Sequence, residues 1–166
     1  MHDRKMLRRF LTPDLNRWAL LRLFLVALAT AVVFTQVLIP FRIEGKNMEP
    51  TYRNGTFNFC WRGRYLFSEP ARGDVVLIRF AGKQILMLKR IIGLAGDTVE
   101  FRNGALFVNN TLVNEPYVHF SSEWNLAPRM VGPGKMYVVD DNRETSLERQ
   151  NIGQVERVRI VGGVLW

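Results

Sequence analysis

From Trp18 to Ile39 the chain reads WALLRLFLVALATAVVFTQVLI, an apolar run whose one charge is Arg22 and which holds neither Gly nor Pro. As an α-helix it would extend about 33 Å at about 1.5 Å per residue, enough to cross a hydrocarbon core of about 30 Å. A helix buried in a soluble core keeps a polar face, and this segment has almost none. Arg22 lies one turn inside the start, where its stem can carry the charge back to the headgroups, and Pro40 closes the run. A cleaved leader would need a shorter apolar region followed by a small-residue cleavage site. The Ala-x-Ala patterns, Ala27 to Ala29 and Ala29 to Ala31, instead fall in mid-run. The sequence therefore predicts a membrane helix over 18–40, with a basic segment 1–17 before it and a domain 41–166 after it.

Charge supports this reading and gives it a direction. The formal net charge of +8 would suit a nucleic-acid binder, but residues 1–40 hold Arg4, Lys5, Arg8, Arg9, Arg17 and Arg22 against Asp3 and Asp14. The basic excess is densest beside the apolar run, and beyond residue 40 basic and acidic residues are mixed, so no nucleic-acid partner is expected. The positive-inside rule places 1–17 in the cytoplasm and everything after Pro40 outside, in a single-pass protein of the inner or plasma membrane whose first partner is the lipid bilayer. Cys60 is the only cysteine, which excludes an intrachain disulfide and a cysteine-rich metal site. His2 and His119 are the only histidines, too few for a multi-histidine centre. No metal and no cofactor are expected.

After Pro40 the texture changes to short apolar runs punctuated by Gly, Asn and Pro. Strands are predicted at Thr56–Trp61, Asp74–Phe80, Gln84–Ile92, Thr98–Arg102, Ala105–Val108, Met136–Asp140 and Val158–Trp166. Asn103-Gly104 is the strongest hairpin signal, Ala81-Gly82-Lys83 a second turn, and residues 114–134 read as a long excursion without period. Helical signal is weak, so the expected fold is mainly β: an antiparallel sandwich or barrel-like domain, monomeric, preceded by one transmembrane helix. Its length allows one good core.

Three segments carry the chemistry. They are Ile43-Glu44-Gly45-Lys46-Asn47-Met48-Glu49-Pro50-Thr51, then Leu88-Lys89-Arg90-Ile91-Ile92-Gly93-Leu94-Ala95-Gly96-Asp97, then Val139-Asp140-Asp141-Asn142-Arg143-Glu144-Thr145-Ser146. In this order behind an anchor they resemble the motifs of type I signal peptidases, the membrane-bound Ser/Lys endopeptidases that remove signal peptides from exported preproteins. On its own residues, Lys89 stands among Leu86, Met87, Leu88, Ile91 and Ile92, and burial among apolar side chains disfavours an ammonium ion, which is the condition for a general base. The resemblance implies that Asp141, Asn142, Arg143 and Ser146 frame the site, Ser146 by hydrogen-bonding the base and Asp141 and Arg143 by fixing the loop. It also implies that Gly45 stands at the oxyanion-hole position, and that Met48 and the strand Leu86-Met87-Leu88 line shallow pockets for an extended substrate with small residues before the cut.

Two positions depart from the family pattern. Asp140 stands where the family has Gly, which removes backbone freedom from the loop. Asn47 stands where the family has its attacking serine, and a carboxamide has no hydroxyl for Lys89 to activate, so the acyl-enzyme route is closed there. Substrate binding survives such a change in principle, because the backbone N–H of residue 47 remains. A substitution made to trap substrate and a natural non-catalytic relative both produce such a sequence. The functional readings are a signal-peptidase-type endopeptidase, a version dedicated to one substrate such as a pilin, and an anchored module that binds signal peptides without cutting. With seven residues between Ile39 and Asn47, the site is expected close to the bilayer surface. Phe57, Phe59, Trp61, Tyr65, Leu66 and Phe67 are available there to lipid or peptide.

Overall fold

A computed structural model describes residues 16–80, 85–144, 146–147 and 153–165. Residues 1–15 of the expected basic segment, the expected turn at 81–83, the expected strand start Gln84, Thr145 and Trp166 lie outside them. The chain divides into two units at Gln36/Val37.

In the first unit, helix α1 (Arg17–Val32) continues into a wider π-helical turn over Val33–Val37, where the Thr35 hydroxyl donates to the Ala31 carbonyl at 2.7 Å. The 21 residues Arg17–Val37 have the length and composition to cross a bilayer, and α1 buries none of its side chains. The helix stops short of the predicted end at 40. Leu38 to Arg42 form a strand, β1, which pairs with β2 (Phe57–Trp61) from Leu38↔Trp61 to Arg42↔Phe57. Strand pairing claims the last apolar residues of the run, and Pro40 is tolerated because β1 lies at a sheet edge.

The second unit is two antiparallel sheets. The larger uses β1, β2, β3 (Val75–Phe80), β4 (Ile85–Gly93), β9 (Lys135–Val139), β10 (Gly153–Glu156) and β11 (Ile160–Val164) in the order β1-β2-β11-β3-β4-β9-β10. The smaller uses β5 (Thr98–Arg102), β6 (Ala105–Val108), β7 (Thr111–Leu112) and β8 (Leu126–Met130) in the order β7-β6-β5-β8. β4 and β9, neighbours in the larger sheet, place apolar residues on both faces because each face has its own core. Ile92, Tyr137 and Val139 join Val99, Phe101, Leu106 and Trp124, whereas Ile91, Met136 and Val138 join Val76, Ile78, Val155 and Ile160. Alternation along a strand sends neighbours to opposite sides, so the consecutive apolar residues Ile91-Ile92 and Met136 to Val139 mark stretches covered on both faces. Full burial of each such side chain stabilises by about 1.5–3 kcal/mol.

The Asn103-Gly104 hairpin forms as predicted, with φ of 48° and 81° joining β5 to β6. A Cβ at Gly104 would meet the Ser122 carbonyl oxygen at 2.6 Å, so glycine is needed for space as well as for angle. The excursion 114–134 is not wholly irregular, since it contains β8. That strand pairs with β5, carries Pro128, stays mostly exposed and lies at an edge, so it shows no alternation. β10 was also missed; Gln154 ties it down by accepting from Gly132 N–H at 3.0 Å and donating to the Met130 carbonyl at 2.8 Å.

Asp97 closes the turn after β4. Its carboxylate accepts from Leu94 N–H (2.8 Å), Arg72 (2.9 Å) and Asn109 (2.8 Å). Burial pushes the carboxyl up, but these bonds together outweigh burial and hold it below its usual range. A lowered carboxylate contributes stability that is full above about pH 4, its unfolded value, and is lost as pH falls through the folded value. Asp97→Asn is therefore expected to show a shallower acid limb than the parent in urea midpoints taken from about pH 5 to about pH 3. Parallel limbs would refute this role.

Candidate functional site

The first motif forms the loop between β1 and β2. Ile43 anchors it, donating its N–H to the Thr56 carbonyl (2.9 Å) and accepting from Gly55 N–H (2.8 Å), while Tyr52 N–H donates to the Met48 carbonyl at 2.8 Å. Gly45 has φ +89°, a value that glycine adopts without strain, and its N–H donates to Asn54 Oδ1 at 3.0 Å. The Gly45 amide is thus already engaged within the loop. Asn47 is exposed at the turn, and Met48 beneath it is 2% exposed.

This loop faces β4 across a groove of about 420 Å³ lined by Phe41, Ile43, Gly45, Asn47, Met48, Leu77, Leu86, Met87, Leu88 and Lys89, together with Arg42 and Glu44. Met48, Leu86, Met87 and Leu88, the expected pocket residues, therefore line one cavity with Lys89 and Asn47, whereas the aromatic residues Phe57 to Phe67 do not line it. Its walls are mostly apolar, and Leu86 is 40% exposed.

Lys89 is buried, as its apolar neighbours predict, but not among apolar groups alone. Its Nζ lies 2.7 Å from Asp140 Oδ2, and both side chains are nearly inaccessible. Burial pushes the Asp140 carboxyl above the usual carboxylate range, with the Lys89 charge and hydrogen bond pulling against it. Asp140 Oδ1 is buried and has no hydrogen-bond partner among the described residues. Among described residues other than glycine, positive φ occurs at Asn103, Asn109 and Asn110 and not at Asp140, so the loop takes its shape without glycine there.

The third motif ties the other two together. Asp141, fully buried, accepts from Arg90 Nε and Nη2, both at 2.6 Å, and from the Thr51 hydroxyl at 2.7 Å. Arg90 Nη1 also donates to the Gly73 carbonyl, and the guanidinium lies 3.8 Å from the Tyr117 ring centroid. Asn142 N–H donates to the Asn47 carbonyl (2.8 Å) and its side chain to the Lys46 carbonyl (3.2 Å). Arg143, 1% exposed, forms a two-pronged ion pair with Glu115 and lies over the rings of Phe101 and Trp124. Ser146 is exposed and lines a separate depression with Ser122, Glu123, Trp124 and Glu144, whereas the hydrogen bond described for Lys89 goes to Asp140.

Sequence reasoning missed Glu115, Asn54 and the partnership of Asp140. The last had a signal. An Asp-Asp pair directly after an apolar central strand needs two buried cations, and Lys89-Arg90 is the matching pair on the neighbouring strand, where Arg90 is in register with Val139. His119 is exposed, and Cys60 is in the core.

Residues 15–166 match the family described as Signal peptidase, peptidase S26. Signal peptidase I of Bacillus licheniformis is 31% identical over 150 residues, covering 83% of this chain and 81% of the relative. Signal peptidase I T of Bacillus subtilis is 32% identical over 149 residues, covering 82% and 77%. A solved signal peptidase I from Enterococcus faecalis superposes with a TM-score of 0.47 at 25% identity, over 58% of this chain and 97% of that one. With its three motifs joined around one groove, this chain belongs to the signal peptidase family.

Proposed function

We propose that the protein is anchored by its N-terminal helix with residues 1–17 in the cytoplasm, and that its β domain receives the signal peptides of exported preproteins on the outer face of the membrane. In this sequence the Ser/Lys endopeptidase chemistry of the family is closed at Asn47. The observation that carries the reading is the groove, which gathers Gly45, Asn47, Met48, Leu86, Met87, Leu88 and Lys89 beside β4. An apolar channel beside a strand suits an extended peptide, with main-chain bonds for affinity and side pockets for selection. At the point where a scissile carbonyl would lie, a carboxamide offers no nucleophile.

The test uses the full chain in proteoliposomes with a fluorescent preprotein and its mature form. The parent is expected to bind the preprotein in preference to the mature form and to leave it intact. Leu86→Arg, at the exposed groove wall, is expected to weaken that binding about tenfold or more, about 1.4 kcal/mol. Cleavage by the parent, or equal binding of preprotein and mature protein, would overturn the reading. Protease protection of residues 41–166 in right-side-out vesicles would overturn the orientation.

A further inference from the structure

We propose that Asp140 is the counter-charge that keeps Lys89 an ammonium ion, so that this site is closed at its proton acceptor as well as at its attacking group. The inference rests on the reading of the groove as a signal-peptidase-type site. It carries that reading to a residue that does not line the groove and touches no substrate. Asp140 is thus a positioning residue that acts through Lys89.

The geometry supports this directly. Lys89 and Asp140 are 2.7 Å apart, and their side chains are 3% and 2% exposed. A lone lysine this deeply buried sheds its proton more easily than it stays charged, whereas a carboxylate in contact favours the charged form. Among the described residues, the other buried cations near Asp140 have carboxylate partners of their own. Arg90 is taken by Asp141, Arg143 pairs with the Glu115 carboxylate and reaches only the backbone carbonyl of Asp140, and Asp140 Oδ1 has no hydrogen-bond partner among the described residues. Among the described residues, the hydrogen bond that the carboxylate accepts comes from Lys89.

The consequence is chemical. Accepting a proton from a hydroxyl requires a lone pair on Nζ, and an ammonium ion has three protons and none. Asp140 cannot take over as acceptor, because it is 2% exposed and does not line the groove. Restoring a hydroxyl at position 47 is then insufficient. The two departures also fit one another: without a hydroxyl to activate, nothing requires a neutral lysine, and a carboxylate beneath it satisfies a charge that burial would otherwise penalise.

The experiment compares Asn47→Ser, Asn47→Ser/Asp140→Asn and Asn47→Ser/Asp140→Gly as full chains in proteoliposomes. Preprotein cleavage is read against pH, with preprotein binding as the check on folding. Loss of general-base function costs about 100-fold or more. Asn47→Ser alone is thus expected to cleave at least about 100-fold more slowly than Asn47→Ser/Asp140→Asn at neutral pH, with the gap narrowing as pH rises. A second measurement needs no turnover. With carbon-13 at Cε of the lysines, Lys89 is expected to report an ammonium ion at neutral pH in the parent and an amine in Asp140→Asn. Equal cleavage by Asn47→Ser and the double variants overturns the proposal, as does a Lys89 that stays charged without Asp140. Failure of the parent to bind preprotein would refute the proposed function while leaving the Lys89 measurement to decide on Asp140.

Discussion

Asp141→Ala is expected to destabilise the β domain by about 3–5 kcal/mol, the cost of leaving a buried charge without its partner. Arg90, 8% exposed, would keep the Gly73 carbonyl and the Tyr117 ring but lose both short bonds to the carboxylate, and the Thr51 hydroxyl would lose its acceptor. The damage would reach the groove. Asp141 sits between Asp140, which holds Lys89, and Asn142, which holds the Asn47 carbonyl, so the loop positions both halves of the site. The measurement is a urea unfolding curve of the full chain in micelles. With a slope of about 1–3 kcal/mol/M, the midpoint should fall by more than about 1 M. Arg102→Ala, which removes the exposed pair with Glu100, serves as the control and should barely move it. An Asp141→Ala midpoint indistinguishable from that of the control would rule out the network as a support of the loop.

The parts of this molecule that sequence reveals are those where a local pattern and a tertiary demand coincide. The apolar run from Trp18 shows a helix because length and composition suffice, yet they do not mark its end. Leu38 and Ile39 suit helix and strand alike, and pairing with Cys60 and Trp61 decides between them. The hairpin at Asn103-Gly104 is legible because only a few residues tolerate its angles. β8 and β10 are not, because edge strands with one exposed side bury too little to need a pattern. In the site, each motif is visible as a string, and the order of the three implies that they meet. The strings pair Asp140-Asp141 with Lys89-Arg90 as doublets, but leave open which carboxylate meets which cation. Lys89 looks like a bare lysine on an apolar strand until Asp140, 51 residues away, is brought beneath it by the pairing of β4 and β9. Glu115 is hidden for the same reason, since it stands in a stretch without period and its importance comes wholly from Arg143.

Arg143 offers the second large effect, and a double-mutant cycle separates its charge from its packing. Its guanidinium pairs with Glu115 in fork geometry and lies 5.1 Å from the Phe101 centroid and 5.5 Å from that of Trp124, two rings that meet edge to face at 5.3 Å in the core. Arg143→Met keeps most of the apolar contact and removes the charge. It should cost about 3–5 kcal/mol, because Glu115 would remain as a buried carboxylate held only by the Tyr117 hydroxyl. Arg143→Lys should also be costly, since an ammonium ion cannot reproduce two parallel bonds or stack on the rings. Adding Glu115→Gln to Arg143→Met removes the stranded charge and should recover at least about half of the loss, a coupling expected for groups in one network. Because Tyr117 touches both Glu115 and the Arg90 guanidinium, the same scan should find Arg143→Met and Asp141→Ala less than additive. Strict additivity of Arg143→Met and Glu115→Gln would mean that the two side chains act independently and that the packing of Arg143 over Phe101 and Trp124, rather than its ion pair, sustains this side of the loop.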